Sequence, residues 1–274
     1  MEQAFLKQAA TGNNQWWRYL LTVLATIASV AIANVGVRQI LPGFKALFPE
    51  NQFGEDLGTS ILIGIIFTVA LLAFGIAAKK LHGRSLFSLI NTSSRFSWGA
   101  YFKGFILWGG LLFTGGLIMD FDVFQSFLEN LNLSHFLILF GVGFVTIGIQ
   151  SFFEELVIRG YFLQGMHLRV KRIVILVLVN ALVFGLLHFG YGIASFIHSF
   201  TFGIAFALIV IWQNRIEFAS GAHNANNLLL SLVFLDIGEA ATADFSWHID
   251  WLEMGIHFVS TALFIGIVYK FIRN

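Results

Sequence analysis

The sequence contains no cysteine and only two prolines, and only 11% of its 274 residues are charged. The absence of cysteine excludes disulfide bonds, thiolate metal sites and a cysteine nucleophile. A soluble domain is typically about 25% charged, whereas 57% of this chain is hydrophobic. The composition therefore predicts an integral membrane protein rather than a soluble domain.

The apolar residues form about eight runs that approach the roughly 20 residues needed to cross a bilayer as a helix. The first run, from Tyr19 to Leu41, exceeds the roughly 7–15-residue core of a signal peptide, so we interpret it as a retained transmembrane helix. Both prolines, Pro42 and Pro49, fall in the connection that follows it. These features predict an all-α polytopic membrane protein. The runs are approximately 19–41, 59–78, 99–119, 135–158, 173–190, 195–212, 217–235 and 252–272.

The distribution of basic residues predicts the orientation. Alternating connections place all but Arg38 and Lys45 of the 16 basic residues on one side, and that side also holds both chain termini. The positive-inside rule makes it cytoplasmic. On the same side, residues 81–96 mix apolar and polar positions and predict a short interfacial helix. We divide the chain into residues 1–134, which hold the first three spans and this interfacial segment, and a helical core at 135–274 that ends with the last span.

The segment Gln150-Ser151-Phe152-Phe153-Glu154-Glu155-Leu156-Val157-Ile158-Arg159 places charged side chains at the end of an apolar run. Charges within a bilayer are costly and usually pair or act. Glu155 and Arg159 are four residues apart and can form an ion pair on one helix face. Glu154 points about 100° away, which leaves its carboxylate free for another role.

Two later helices carry polar side chains that could face Glu154. Phe184 and His188 are four residues apart, and a hairpin turning near residues 169–172 would bring His188 level with Glu154. His223 and Asn227 share a face in the same way, with Asn226 beside them. The side chains of His223 and Asn227 could donate hydrogen bonds to a developing oxyanion. A polar helix interface is also compatible with the pattern.

Glu154-Glu155-x-x-x-Arg159, Phe184-x-x-x-His188 and His223-x-x-x-Asn227 together resemble the three motifs of the CAAX-protease and bacteriocin-processing (CPBP or Abi) family. Its members are intramembrane glutamic endopeptidases, including the Ras-converting CAAX prenyl endopeptidases. The resemblance covers roughly residues 150–230.

The resemblance implies a role for each motif residue. Glu154 would be the general base, and His188 would help to hold and activate water. His223 and Asn227 would stabilise the tetrahedral intermediate. The remaining motif residues, Glu155, Arg159 and Phe184, would have supporting roles.

We also expect the protease to need no metal or other cofactor and to bind no nucleic acid. Its partners would be the lipid bilayer and a peptide or membrane-protein substrate. The family suggests a prenylated CAAX protein, a pheromone precursor or a bacteriocin leader as the substrate, and it also suggests a role in bacteriocin immunity. We expect the protein to lie in the cell membrane as a multi-pass protein, with its active site open to the cytoplasm.

Three alternatives remain open at the level of sequence. Neither a Gly-x-Ser-x-Gly nor a His-Glu-x-x-His segment is present, but Glu154, His188 and His223 could ligate zinc in a zinc-dependent membrane protease. A proton-coupled transporter also uses Glu, Arg and His residues within spans, although the polar motif residues here are confined to the second half of the chain. A non-catalytic membrane scaffold or regulator is the third alternative.

Overall fold

The computed structural model describes residues 4–93, 95–234 and 245–272, and the regular secondary structure within these ranges is helical. The prediction of an all-α polytopic membrane protein is confirmed, because seven of the described helices are long and apolar enough to cross a membrane. The described chain forms helices α1 (Trp16–Lys45), α2 (Gln52–His82), α3 (Trp98–Met119), α4 (Phe121–Glu129), α5 (Leu133–His167), α6 (Ile173–His188), α7 (Ile193–Gln213), α8 (Glu217–Leu229) and α9 (Trp251–Ile267).

The count of about eight spans is one higher than the seven qualifying helices, and the difference lies in α8. This helix continues as a π-helical turn, Leu230–Phe234, while residue 235 lies outside the described ranges. Its polar side chains, including His223 and Asn224, lower its hydropathy. Most of its residues are buried against other helices. The described part of this run, residues 217–234, is therefore an internal helix enclosed by protein.

Helix α8 lies at the centre of the packing. It makes its most extensive contacts with α3 and α5, and it also touches α7. Two further helix pairs, α1 with α2 and α6 with α7, pack along the sides, and α2 also packs on α5. This arrangement places the two predicted catalytic residues of α8, His223 and Asn227, inside the bundle.

Polar side chains begin several of the helices. Asn51, Ser97, Asn132 and Asp250 each precede a helix and accept a hydrogen bond from a backbone N–H of its first turn, at 2.9–3.3 Å. Such caps satisfy donors that have no partner within the helix. Helix α2 ends at Gly83, whose φ of 70° is the left-handed conformation favoured by glycine.

The segment at residues 81–96 differs from its prediction. Only Phe87–Ile90 forms a helical turn, and Leu89 and Ile90 are buried in the core rather than spread along a membrane surface. A Cβ atom at Gly160 would lie 2.4 Å from the backbone oxygen of Leu89. The segment is therefore a loop packed against the backbone of α5, because its apolar side chains find a protein partner.

One smaller difference concerns the first connection. Position 42 lies within the last part of α1, so only Pro49 is in the connection. The cytoplasmic position of the termini remains a prediction. Four charged residues that enter that argument, Asp236, Glu239, Asp244 and Arg273, lie outside the described residues.

Candidate active site

A cavity of about 880 Å³ lies between the helices of the second half and parts of α2 and α3. All four residues that the sequence nominates as catalytic line it. Phe184 lines it too, whereas Glu155 and Arg159 lie behind the wall. The catalytic candidates on the cavity surface are Glu154, His188, His223 and Asn227.

The two adjacent glutamates occupy different environments, as their helical separation predicts. The Glu154 side chain is 19% exposed and lines the cavity, whereas that of Glu155 is fully buried. The amide of Gln150, one turn earlier, donates a hydrogen bond to Glu154 Oε1 at 3.2 Å. Glu154 is therefore the carboxylate of the pair that water in the cavity can reach.

The Glu155 carboxylate joins two helices. Arg159 Nη1 and His223 Nδ1 both lie 2.9 Å from Glu155 Oε1, and all three side chains are almost completely buried. The predicted pairing of Glu155 with Arg159 is confirmed. An ionised carboxylate can only accept hydrogen bonds, so His223 donates from Nδ1 and presents Nε2 to the cavity.

His223 rather than His188 makes the nearest contact with Glu154. His223 Nε2 lies 3.8 Å from Glu154 Oε2, too far for a direct hydrogen bond. This separation leaves room for small adjustments or a bridging water. The structure brings Glu154 and His223 together, and it places His188 and Asn227 elsewhere on the same cavity wall.

The aromatic ring of Phe184 connects the buried ion pair with His188. Its centroid lies 4.2 Å from the Arg159 guanidinium carbon and 4.6 Å from the His188 ring. His188 Nδ1 is 2.8 Å from the Phe184 carbonyl oxygen. Because a carbonyl oxygen only accepts, Nδ1 carries the proton, and Nε2 of the neutral ring is an acceptor.

Helix α8 holds its catalytic candidates through a close crossing with α3. A Cβ atom at Gly221 would lie 1.9 Å from the Tyr101 backbone oxygen, and one at Gly104 would lie 2.0 Å from that of Phe218. The two backbones can approach this closely only because both positions lack a side chain. The crossing fixes the depth of His223 in the bundle.

Helix α5 becomes π-helical at Leu156–Leu163, directly after the two glutamates. Asn180 of α6 is fully buried and donates a hydrogen bond of 2.8 Å to the Ile158 carbonyl oxygen within this turn. Local π-helical turns occur frequently at functional sites. Here the turn carries Arg159, and Asn180 ties it to the helix that carries His188.

Four polar residues of the site were given no role from the sequence: Trp108, Gln150, Asn180 and Asn226. Gln150 lies one helical turn before Glu154, and this spacing alone could have predicted that the two side chains contact each other. Asn180 and Asn226 are amides within apolar runs, which is a weaker signal. Trp108 belongs to another helix, and nothing in the sequence connects it to α8.

A zinc site would need three suitable ligands around one point. Within the described ranges, histidine, aspartate and glutamate side chains form no group of three arranged to hold a metal ion. His223 Nδ1 is already bonded to Glu155, and His188 Nδ1 to a backbone carbonyl. The arrangement therefore resembles an acid–base site more closely than a metal centre.

Comparison with known families identifies this part of the chain. Residues 133–229, from the start of α5 to the end of α8, match the family model "Type II CAAX prenyl endopeptidase Rce1-like". These residues are similar to the Rce1-like family. The matched segment contains all three motifs and every cavity-lining catalytic candidate, so the resemblance inferred from the motifs is confirmed.

A similar protein extends the comparison beyond the matched segment. The chain is 26% identical over 236 residues to the uncharacterized protein YyaK of Bacillus subtilis (strain 168), which covers 81% of this chain and 79% of that protein. No solved structure matched the chain. Similarity to the Rce1-like family suggests a CAAX-type intramembrane protease, a class of hydrolase whose substrates are peptides or proteins in the bilayer.

Proposed function

We propose that this protein is an intramembrane glutamic endopeptidase, in which Glu154 activates water for attack on a peptide bond. One observation carries the proposal most directly. Glu154 is the water-accessible member of a glutamate pair, and it lies 3.8 Å from His223 on the wall of a large cavity. The buried member of the pair, Glu155, holds that histidine from behind.

In this mechanism the Glu154 carboxylate takes a proton from water while the oxygen attacks the scissile carbonyl carbon. The carbonyl oxygen becomes an oxyanion, and the proton then passes to the leaving nitrogen as the C–N bond breaks. A general base must lie within reach of the water, directly or through one other molecule. His188 supports this step because its Nε2 can accept a hydrogen bond from the other O–H of the same water and so orient it.

The oxyanion requires hydrogen-bond donors in the cavity. Neutral His223 cannot donate from Nε2, since its proton is on Nδ1 facing Glu155. It becomes a donor there if it receives the proton that Glu154 took from the water, before that proton passes to the leaving nitrogen. The adjacent Glu155 carboxylate stabilises the imidazolium, as the aspartate does in a serine protease triad. The Asn227 amide supplies a donor that is independent of protonation.

The supporting residues follow from the same geometry. Arg159 neutralises the buried charge of Glu155, and its guanidinium also packs on the Phe184 ring. Arg159 thus supplies a counter-charge to this carboxylate in a site that excludes solvent. By accepting a hydrogen bond from His223 Nδ1, Glu155 fixes the tautomer of His223, which explains why the glutamates differ in role despite being neighbours.

We further propose that the enzyme resides in the cell membrane with its site open to the cytoplasm, as the distribution of basic residues suggests. Its substrate would be a membrane-associated peptide or protein, such as a prenylated CAAX protein, a pheromone precursor or a bacteriocin leader. Cleavage assays with these three classes discriminate between them.

The test is cleavage of a panel of quenched fluorescent peptides by the detergent-purified protein. We expect the wild type to cleave at least one peptide and Glu154→Gln and His188→Ala to lose most of that activity. General-base catalysis typically contributes about 10²–10⁴-fold to a rate, so the loss should be of this order for Glu154→Gln. The matched control is Glu129→Gln, the same change on an exposed position of α4.

A chelator arm separates the mechanisms. Unchanged activity in chelator supports the glutamic mechanism, and loss that added zinc restores would favour the zinc protease instead. Full activity of Glu154→Gln would contradict the assigned base. If no peptide is cleaved, a cellular assay in which Glu154→Gln behaves like the wild type would favour a scaffold.

A further inference from the structure

Trp108 of α3 and two asparagines of α8 form a chain of hydrogen bonds across the helix crossing. Trp108 Nε1 donates to Asn226 Oδ1 at 3.1 Å, and Asn226 Nδ2 donates to Asn227 Oδ1 at 3.1 Å. All three side chains line the cavity that contains Glu154. The chain thus links a residue with no sequence relation to the motifs to a catalytic candidate.

The indole group fixes the direction of every bond in this chain. An indole N–H can only donate, so Asn226 must turn its oxygen towards Trp108 and its NH₂ group towards Asn227. Asn227 must then present its own oxygen to Asn226. The Asn227 NH₂ group is left facing elsewhere, and no hydrogen bond from it is seen to any residue in the described ranges.

The anchor of the chain is rigid. Trp108 is 1% exposed, and its ring lies 4.7 Å from that of Phe202 and 5.1 Å from that of Phe264. The nearby close crossing of α3 and α8 holds the two helices at fixed depth. A rotamer change of the indole would have to displace these neighbours, so its N–H stays directed at Asn226.

We propose that Trp108 and Asn226 are positioning residues that orient the Asn227 side-chain amide so that its NH₂ group faces the developing oxyanion. The inference rests on the proposed function. Without the chain, the Asn227 amide is free to rotate by 180° about its last bond. In that orientation it presents an oxygen to the oxyanion and repels it.

An aspartate at position 226 provides a sharp test, because it has the same size but only accepts hydrogen bonds when ionised. In Asn226→Asp the carboxylate accepts from both sides, so the Asn227 NH₂ group turns towards it and away from the cavity. In Asn226→Ala, Asn227 can adopt either orientation. The isosteric variant should therefore be the more damaged of the two.

We expect Asn226→Asp to lower kcat about 100-fold or more, the usual effect of losing one oxyanion donor, with KM little changed. Asn226→Ala and Trp108→Phe should lower kcat only several-fold. Trp98→Phe, on an exposed position of the same helix, is the matched control and should retain full activity. Thermal unfolding of each variant in detergent monitors the fold.

The same comparison in an Asn227→Ala background isolates the mechanism. There we expect Asn226→Asp and Asn226→Ala to have equal kcat, since no amide remains to be oriented. The inference is overturned if Asn226→Asp is as active as Asn226→Ala, or if their difference persists without Asn227. Wild-type activity that survives Glu154→Gln would instead refute the proposed function, and the inference would fall with it.

Discussion

The Glu155 carboxylate offers a perturbation whose effects on stability and on activity can be separated. It is fully buried and accepts hydrogen bonds from Arg159 and His223, each at 2.9 Å. Glu155→Leu removes both bonds at once. The change leaves the buried Arg159 guanidinium without the carboxylate it contacts, and it leaves His223 Nδ1 with no acceptor.

The structure gives a magnitude for each loss. Removing one partner of a buried ion pair costs about 3–5 kcal/mol, because the remaining charge is uncompensated. A buried donor left without an acceptor costs about 1–3 kcal/mol. In Glu155→Leu/Arg159→Met the first cost disappears and the second remains. The double variant should therefore unfold at a higher temperature than the single variant, by roughly 6–20 °C at about 2–4 °C per kcal/mol.

Activity should behave differently from stability. Both variants lack the group that holds His223, and loss of the residue that orients a catalytic histidine lowers kcat by up to about 10⁴-fold in the serine proteases. We expect kcat to fall about 100-fold or more in both. The assays are thermal unfolding in detergent and peptide cleavage on the same preparations.

Two results would refute this reasoning. If Glu155→Leu unfolds within about 2 °C of the wild type, Arg159 does not depend on this carboxylate for its burial. If the double variant recovers wild-type kcat together with its stability, Glu155 serves the fold alone and does not orient His223.

Two further predictions concern the framework around the site. Gly221→Ala places a methyl group 1.9 Å from the Tyr101 backbone oxygen. We expect it to lower the free energy of unfolding by about 1–3 kcal/mol and to reduce cleavage. The control Gly110→Ala, where the added methyl group meets no atom within 4 Å, should lower neither. Asn180→Leu removes the fully buried donor to the Ile158 carbonyl oxygen, and we expect it to destabilise the protein by about 1–3 kcal/mol. An unfolding midpoint within error of the wild type would contradict either prediction.

The helical interpretation of the chain was available from the sequence because hydrophobic length and helical period are local properties. Runs of about 20 apolar residues can satisfy their backbone groups in a bilayer only as helices or closed barrels. The ion pair of Glu155 with Arg159 followed from the same periodicity, since residues four apart always share a helix face. The turn near residues 169–172 was equally local.

The interpretation of α8 shows where this local reasoning stops. The run at 217–235 has the length of a membrane span, but its burial depends on which helices surround it. The sequence could not show that α3 and α5 enclose it. The segment at 81–96 is similar, because its apolar side chains have a protein partner in α5 that no local pattern specifies.

The sequence by itself nominated the candidate catalytic residues, since the three motifs are pairs on single helices. Only the tertiary structure decided which pairs meet. His223 bonds to Glu155, 68 positions away in the sequence, and Trp108 reaches Asn226 across 118 positions. Such contacts depend on the depth and rotation at which helices cross, and backbone contact at Gly104 and Gly221 sets both. Helical periodicity fixes neither quantity, so the partners of the catalytic residues emerge only in the folded bundle.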